Sequence, residues 1–62
     1  MIVATDLSPH QRRILHVALY RNVVYYYELY YDSADTKDAA QMAADVFPQI
    51  GYPVPAWVSD LI

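Results

Sequence analysis

Residues 8–31, SPHQRRILHVALYRNVVYYYELYY, decide the fold of this chain. Ser8 is a preferred N-cap residue, Pro9 suits the first position of a helix, and Gln11 is placed to complete a capping box. No glycine or proline follows within the stretch, so one helix over residues 9–31, about 34 Å long, is permitted. We therefore expect a long first helix that begins at Pro9.

The second half of this stretch also has the composition of a strand, because residues 23–27, VVYYY, are β-branched or aromatic. A strand over residues 22–31 would carry apolar side chains on both faces and would need a sheet to cover it. Residues 2–5 are the one other strand candidate and are too few to build that sheet. The helix is therefore favoured, and the alternative is an α+β fold in which strand 22–31 pairs within a dimer. The helical spacing is followed by Leu15, Leu19, Asn22, Tyr26 and Leu29.

A second, shorter helix is expected over residues 36–47. Ser33 and Asp35 are both suitable N-cap residues, and Pro48 lies at or just beyond the end. The apolar face is rich in small residues, which allow another helix to come close. Together the two helices predict an all-α fold, a helical hairpin. The apolar face of the second helix consists of Ala39, Ala40, Met42, Ala43, Val46 and Phe47.

The C-terminal segment is expected to form a proline-rich strap across the helices. Gly51 suits a turn, and Pro53 and Pro55 enforce an extended path. Residues 56–62 can form one last short turn of helix. Because the two prolines direct the chain back toward the helices, we expect Trp57 to belong to the core.

The size of the chain predicts one small domain, residues 1–62, that needs support from another chain. A domain of this length buries only about 60% of the surface that its unfolded form exposes, so its stability is marginal. The chain has no cysteine, and its two histidines do not make a structural metal site. Neither a disulfide nor a metal is therefore expected to stabilise the fold, and no cofactor is expected. Association with another chain is the remaining candidate.

The first helix has apolar residues nearly all round, which also predicts self-association. One face is expected to pack inside the chain, and the opposite face is expected to contact another copy. The alternative is that the tyrosines lie half exposed with their hydroxyl groups in water. The inner face gathers Leu15, Ala18, Leu19, Tyr26, Leu29 and Tyr30. The predicted interface gathers Val17, Tyr20, Val24, Tyr27 and Tyr31.

The charges of the first helix favour an antiparallel arrangement of two copies. Arg12 and Arg13 lie near its start and Glu28 near its end, each opposed to the helix dipole. An antiparallel copy would bring the arginine pair beside Glu28 and Asp32, with the two-fold axis near residues 21–22. Asn22 could then meet its equivalent and fix the register. The alternative is that Asp45 of the second helix reaches Arg12 or Arg13 within one chain.

The net charge of −3 is divided unevenly between the two halves of the chain. Residues 1–27 carry three arginines against one acid, whereas residues 28–62 carry six acids against one lysine. Acidic proteins repel phosphate backbones, so direct nucleic-acid binding and membrane binding are disfavoured. The alternative function is an acidic mimic that inhibits a DNA- or RNA-binding enzyme, and the third is a small oligomeric DNA-binding regulator. The predicted acidic face is Glu28, Asp32, Asp35, Asp38 and Asp45.

The sequence does not predict an enzyme or a metal site. His10 and His16 lie six residues apart, so a helix directs them away from each other, and both are expected at the surface. The single glycine excludes a glycine-rich phosphate loop. The N-terminus lacks the features of a signal peptide, and charged residues interrupt the apolar stretch 14–31, so a cytoplasmic location is expected. The sequence thus predicts a small acidic protein-protein interaction module, an adaptor, regulator or inhibitor of a larger protein, that acts as a homo-oligomer.

Overall fold

The structure, a computed structural model, describes residues 6–62, and within this range it is all-α. It contains α1 (Pro9–Tyr30), α2 (Ala34–Val46), a 3-10 turn (Phe47–Ile50) and a short α3 (Ala56–Ser59). The expectation of an all-α chain is confirmed for these residues. The strand candidate at residues 2–5 lies outside them.

The alternative of a strand over residues 22–31 is wrong, because α1 continues without a break to Tyr30. Helical spacing buries Val23 completely while its neighbours on either side reach the surface. In a strand, alternate residues of this apolar run would have faced opposite sides. The β-branched and aromatic composition is therefore overridden by the packing of one helical face.

The start of α1 is formed by the predicted capping box. The main-chain N–H of Gln11 donates to Oγ of Ser8 over 3.1 Å, and the N–H of Ser8 donates to Oε1 of Gln11 over 2.8 Å. Pro9 occupies the first position, where its missing N–H leaves no helical hydrogen bond unmade. The helix ends one residue before the predicted boundary, because Tyr31 leaves the helical conformation with φ of 52°.

The second helix begins two residues before the predicted position. Ser33 is its N-cap: the main-chain N–H of Thr36 donates to Oγ of Ser33 over 3.2 Å. Asp35, the other candidate cap, lies in the first turn, where its charge complements the helix dipole. The α-helical part ends at Val46, and the chain tightens into the 3-10 turn that contains Pro48.

The core lies between α1 and α2, which run in opposite directions. Thr36 bonds to the main chain of Tyr26 at one end, and the Phe47 ring lies 4.7 Å from that of His16 at the other. Small side chains on α2 let the two helices approach. The buried apolar residues are Val23, Ala39, Ala40, Ala43, Phe47, Ile50 and Val58.

Met42 does not join this core, although the spacing placed it on the apolar face of α2. Its side chain is exposed at the edge of that face, beside Asp38 and Asn22. The alanines at positions 39, 40 and 43 hold the centre of the contact with α1. The expectation for Met42 is therefore wrong. The alanines occupy the narrow contact between the two helices, and the side chain of Met42 lies outside it.

The C-terminal segment turns back at Gly51, whose φ of 83° suits glycine. Pro55 precedes α3 with an extended backbone, and Val58 of α3 is fully buried. Trp57 is half-buried and packs against the core, as expected, with its ring edge-on to Tyr20 at 5.7 Å and near Tyr27 at 6.0 Å. These contacts cover one flank of α1.

Candidate interaction surface

One face of α1 is left uncovered by the rest of the described chain. It lies opposite Val23, which faces the core. Four large apolar side chains on this face are 41–57% exposed: Ile14, Val17, Tyr25 and Leu29. Ala18 and Arg21 are exposed between them. We call these six residues the outer stripe: Ile14, Val17, Ala18, Arg21, Tyr25 and Leu29.

The N-terminal half of the outer stripe is a groove with an apolar floor and a basic rim. Ile14, Val17 and Ala18 supply the floor, while Arg13 and Arg21 flank it. His10 completes the groove at its N-terminal end. The surface of the groove is mostly apolar, so it suits an apolar side chain that is accompanied by a carboxylate.

The C-terminal half of the outer stripe presents large side chains and an acid. Tyr25 and Leu29 are exposed, and Glu28 lies beside them on the same side of α1. Tyr30 and Tyr31 extend the exposed aromatic surface at the end of the helix. This half therefore projects apolar groups where the N-terminal half forms a groove.

The predicted interface residues fall into three environments. Val17 and Tyr31 are exposed, and Val24 is half-buried. Tyr20 and Tyr27 are half-buried because the ring of Trp57 packs against both. The structure thus brings only part of the predicted aromatic face to the surface.

The expected inner face of α1 is also rotated relative to its predicted position. Leu15, Leu19 and Tyr26 pack against the core, as expected. Ala18, Leu29 and Tyr30 were expected on the same face, and all three are exposed. The buried face is centred on Val23 because both α2 and the C-terminal segment pack against it.

The three polar positions of the predicted interface differ in burial. Arg13 is exposed on the rim of the groove. Arg12 is half-buried, and its Nε makes no hydrogen bond within residues 6–62. Asn22 is half-buried at the edge of α1 that faces α2, where it shares a second groove with Tyr26 and Met42.

The predicted acidic residues do not form one row. Asp32 lies 3.7 Å from the amino group of Lys37, whereas Asp35 and Asp38 line the groove beside Asn22. Asp45 lies farther along α2 and accepts a 2.9 Å hydrogen bond from Gln41.

Glu28 lies apart from the acidic residues of α2. Its position is about 120° around α1 from Asn22, which faces the acidic groove. The charge of Glu28 therefore lies beside the outer stripe.

The expectation that both histidines lie at the surface is correct for His10 and wrong for His16. His10 is exposed, whereas His16 is half-buried with its ring stacked on that of Tyr52, 4.0 Å between centroids and 9° between planes. The burial of His16 could have been predicted from the spacing, because His16 lies two turns before Val23 on the same face of α1. His16 thus contributes to packing.

Within residues 6–62, no three side chains of the metal-binding types come together, and none of the helices combines the length and the hydropathy of a membrane span. Comparisons with protein-family models, with curated proteins and with solved structures found no match. The outer stripe is the surface on which a function is inferred, because it exposes apolar groups and is flanked by charges of opposite sign, Arg13 near its start and Glu28 near its end.

Proposed function

We propose that this protein is a small acidic protein-protein interaction module, an adaptor or regulator of a larger protein, that acts as a homo-oligomer through its outer stripe. The observation that carries the proposal is the exposure of Ile14, Val17, Tyr25 and Leu29 on one face of α1. Complete burial of such a side chain contributes about 1.5–3 kcal/mol, so covering these half-exposed groups contributes about 1 kcal/mol each. An exposed, mostly apolar face of this kind is typical of an interaction site.

The modest core supports the same proposal. Three of the seven buried apolar residues in the described chain are alanines, which bury little surface each. The chain has no disulfide to compensate. A second copy that covers the outer stripe would stabilise the folded state by mass action. Self-association therefore supplies stability that a 62-residue chain lacks alone.

The acidic residues of α2 support a role beyond self-association. Asp35, Asp38 and Asp45 are exposed on a different helix from the outer stripe. They would remain accessible in the proposed oligomer. Each copy then offers a carboxylate surface to a basic region of a larger protein, where complementary charge raises the rate of association.

Sedimentation equilibrium at micromolar concentration tests the proposal. The unmodified protein is expected to sediment as an oligomer, and the double variant Ile14→Asp, Tyr25→Asp as a monomer of about 7 kDa, because two carboxylates would be buried at the contact. Met42→Asp is the matched control, since Met42 is as exposed as Ile14 but lies on α2. Circular dichroism checks that all three proteins are folded. A folded monomer for the unmodified protein would overturn the proposal.

Salt tests whether the contact between copies is made by apolar side chains. A contact made by apolar side chains retains its affinity in about 1 M salt, where the Debye length falls to about 3 Å. A contact made through carboxylates, such as that of an acidic mimic with its target, weakens under the same condition. Sedimentation in high salt is therefore expected to show the same oligomer.

A further inference from the structure

The two halves of the α1 surface are chemically complementary to each other. Residues 9–21 carry three arginines and two histidines and no acid, whereas residues 22–30 carry Glu28 and no base. The first half forms an apolar groove with Arg13 and Arg21 on its rim. The second half exposes Tyr25 and Leu29 beside Glu28. A surface whose two ends match each other fits a second copy that runs in the opposite direction.

We infer that the outer stripe binds a second copy of this chain antiparallel to the first, with the two-fold axis between residues 21 and 22. This arrangement rests on the proposed function. It places Ile14 against Leu29 of the second copy, and Ala18 against Tyr25 of the second copy. The small Ala18 leaves room for the exposed tyrosine ring. Symmetry repeats both contacts, so these four side chains are covered in each of the two copies.

The charges select this direction over a parallel one. In the antiparallel pair, Arg13 lies beside Glu28 of the second copy, and the reciprocal pair forms across the axis. A parallel pair would bring Arg13 beside Arg13 and Glu28 beside Glu28. It would also place Ala18 against Ala18, which leaves a gap between the helices. Antiparallel helices additionally oppose their dipoles.

Arg21 is the one residue for which the antiparallel pair carries a cost. Two Arg21 side chains lie close to the axis, where like charges repel. Their length lets each guanidinium reach along the helix to the ring of Tyr25 on the second copy, since a tyrosine face attracts a cation. The side chain is exposed, so its charged end also remains in contact with water.

Disulfide crosslinking tests the arrangement directly, because the natural chain has no cysteine. Arg21→Cys lies near the axis and is expected to crosslink with itself. Ile14→Cys alone is expected to remain uncrosslinked, since its two copies lie about 22 Å apart along antiparallel helices, far beyond disulfide reach. An equal mixture of Ile14→Cys and Leu29→Cys is expected to give the mixed disulfide. Mass spectrometry of non-reduced protein identifies each product.

Met42→Cys is the control for random collision, because Met42 is exposed on α2. Association raises the effective thiol concentration, so Arg21→Cys is expected to crosslink about a hundredfold faster than Met42→Cys at micromolar concentration. Equal rates for the two variants would overturn the inference. Efficient crosslinking of Ile14→Cys with itself would indicate a parallel pair, which refutes the register but leaves the proposed function standing. Sedimentation of the unmodified protein as a monomer would refute both the antiparallel pair and the proposed function.

Discussion

The side-chain hydroxyl of Thr36 donates a 3.1 Å hydrogen bond to the main-chain carbonyl oxygen of Tyr26, so the first turn of α2 is bonded directly to α1. Thr36 is completely buried, and its hydroxyl also lies 3.0 Å from Oγ of Ser33, the N-cap of α2. One side chain therefore connects the start of α2, its cap and the adjacent turn of α1. This junction fixes where α2 begins.

Thr36→Val is expected to lower the free energy of unfolding by about 1 kcal/mol, the usual net value of one hydrogen bond. Valine retains the shape of threonine, so the change removes the hydroxyl with little effect on volume. Urea denaturation followed by circular dichroism measures the difference. An unchanged midpoint would show that the bond to Tyr26 does not stabilise the junction.

The stacked ring of His16 gives a second prediction. His16→Ala is expected to destabilise the fold by about 1–2 kcal/mol, because it removes the contacts with Tyr52 and Phe47 and aromatic pairs contribute about 0.5–1.5 kcal/mol beyond their buried area. His10→Ala is the matched control in the same helix. His10 is exposed, so its loss is expected to change stability by less than about 0.5 kcal/mol. Equal effects of the two variants in urea denaturation would contradict the structural role of His16.

Local signals explain what the sequence could predict. The start of α1 depends on Ser8 and Gln11, whose side chains each bond to the main chain of the other, so the boundary follows from neighbouring residues. The helical course of residues 23–30 follows from spacing. The sequence places the start of α2 two residues too late, because Ser33 and Asp35 are both good caps. Ser33 is the cap in the structure, and Thr36 is buried against α1. This tertiary contact cannot be predicted from the spacing of residues.

The candidate site was harder to predict, because α1 has apolar residues on every side. The sequence showed that some apolar face would remain uncovered, but not which one. The position of Trp57 determines which face of α1 stays uncovered. Its ring packs against Tyr20 and Tyr27 and so partly buries them. Ile14 and Tyr25 remain exposed. Their positions depend on the path of a segment more than 25 residues away along the chain.

The backbone of Tyr31 gives a third prediction. Its φ of 52° lies in the region that favours glycine, at the position where helices commonly end in one. Tyr31→Gly is therefore expected to be about 1 kcal/mol more stable than Tyr31→Ala, since both variants lose the ring contact with Tyr27 and only glycine relieves the backbone.

The control is the same two substitutions at Gln41, an exposed residue inside α2. There Gln41→Gly is expected to be about 1 kcal/mol less stable than Gln41→Ala, because glycine is unfavourable within a helix. The opposite order of glycine and alanine at the two positions is the outcome to be measured by thermal unfolding. Alanine more stable than glycine at position 31 would contradict the positive φ.

The contact between Trp57 and α1 gives a fourth prediction. Trp57→Ala is expected to lower stability by about 2–3 kcal/mol, less than for a fully buried tryptophan because the ring is half-buried. Ile62→Ala, an exposed residue of the same segment, is expected to change stability by less than about 0.5 kcal/mol. Circular dichroism during urea denaturation measures both. If Trp57→Ala keeps its stability, the C-terminal segment does not hold Tyr20 and Tyr27 in place.

The proposed self-association makes the stability of this protein depend on its concentration. For a dimer that unfolds to two separate chains, each tenfold increase in concentration stabilises the folded pair by about 1.4 kcal/mol, or about 0.7 kcal/mol per chain. In a domain of this size, 1 kcal/mol shifts Tm by about 4–8 °C, so Tm is expected to rise by about 3–6 °C per tenfold increase. Calorimetry or circular dichroism from about 5 to 500 μM covers two such steps.

The double variant Ile14→Asp, Tyr25→Asp is expected to melt at a temperature that does not vary with concentration, because it cannot bury the outer stripe against a second copy. The same slope in both proteins would show that the outer stripe is not the contact surface, and a flat slope in the unmodified protein would show that unfolding and dissociation are not coupled.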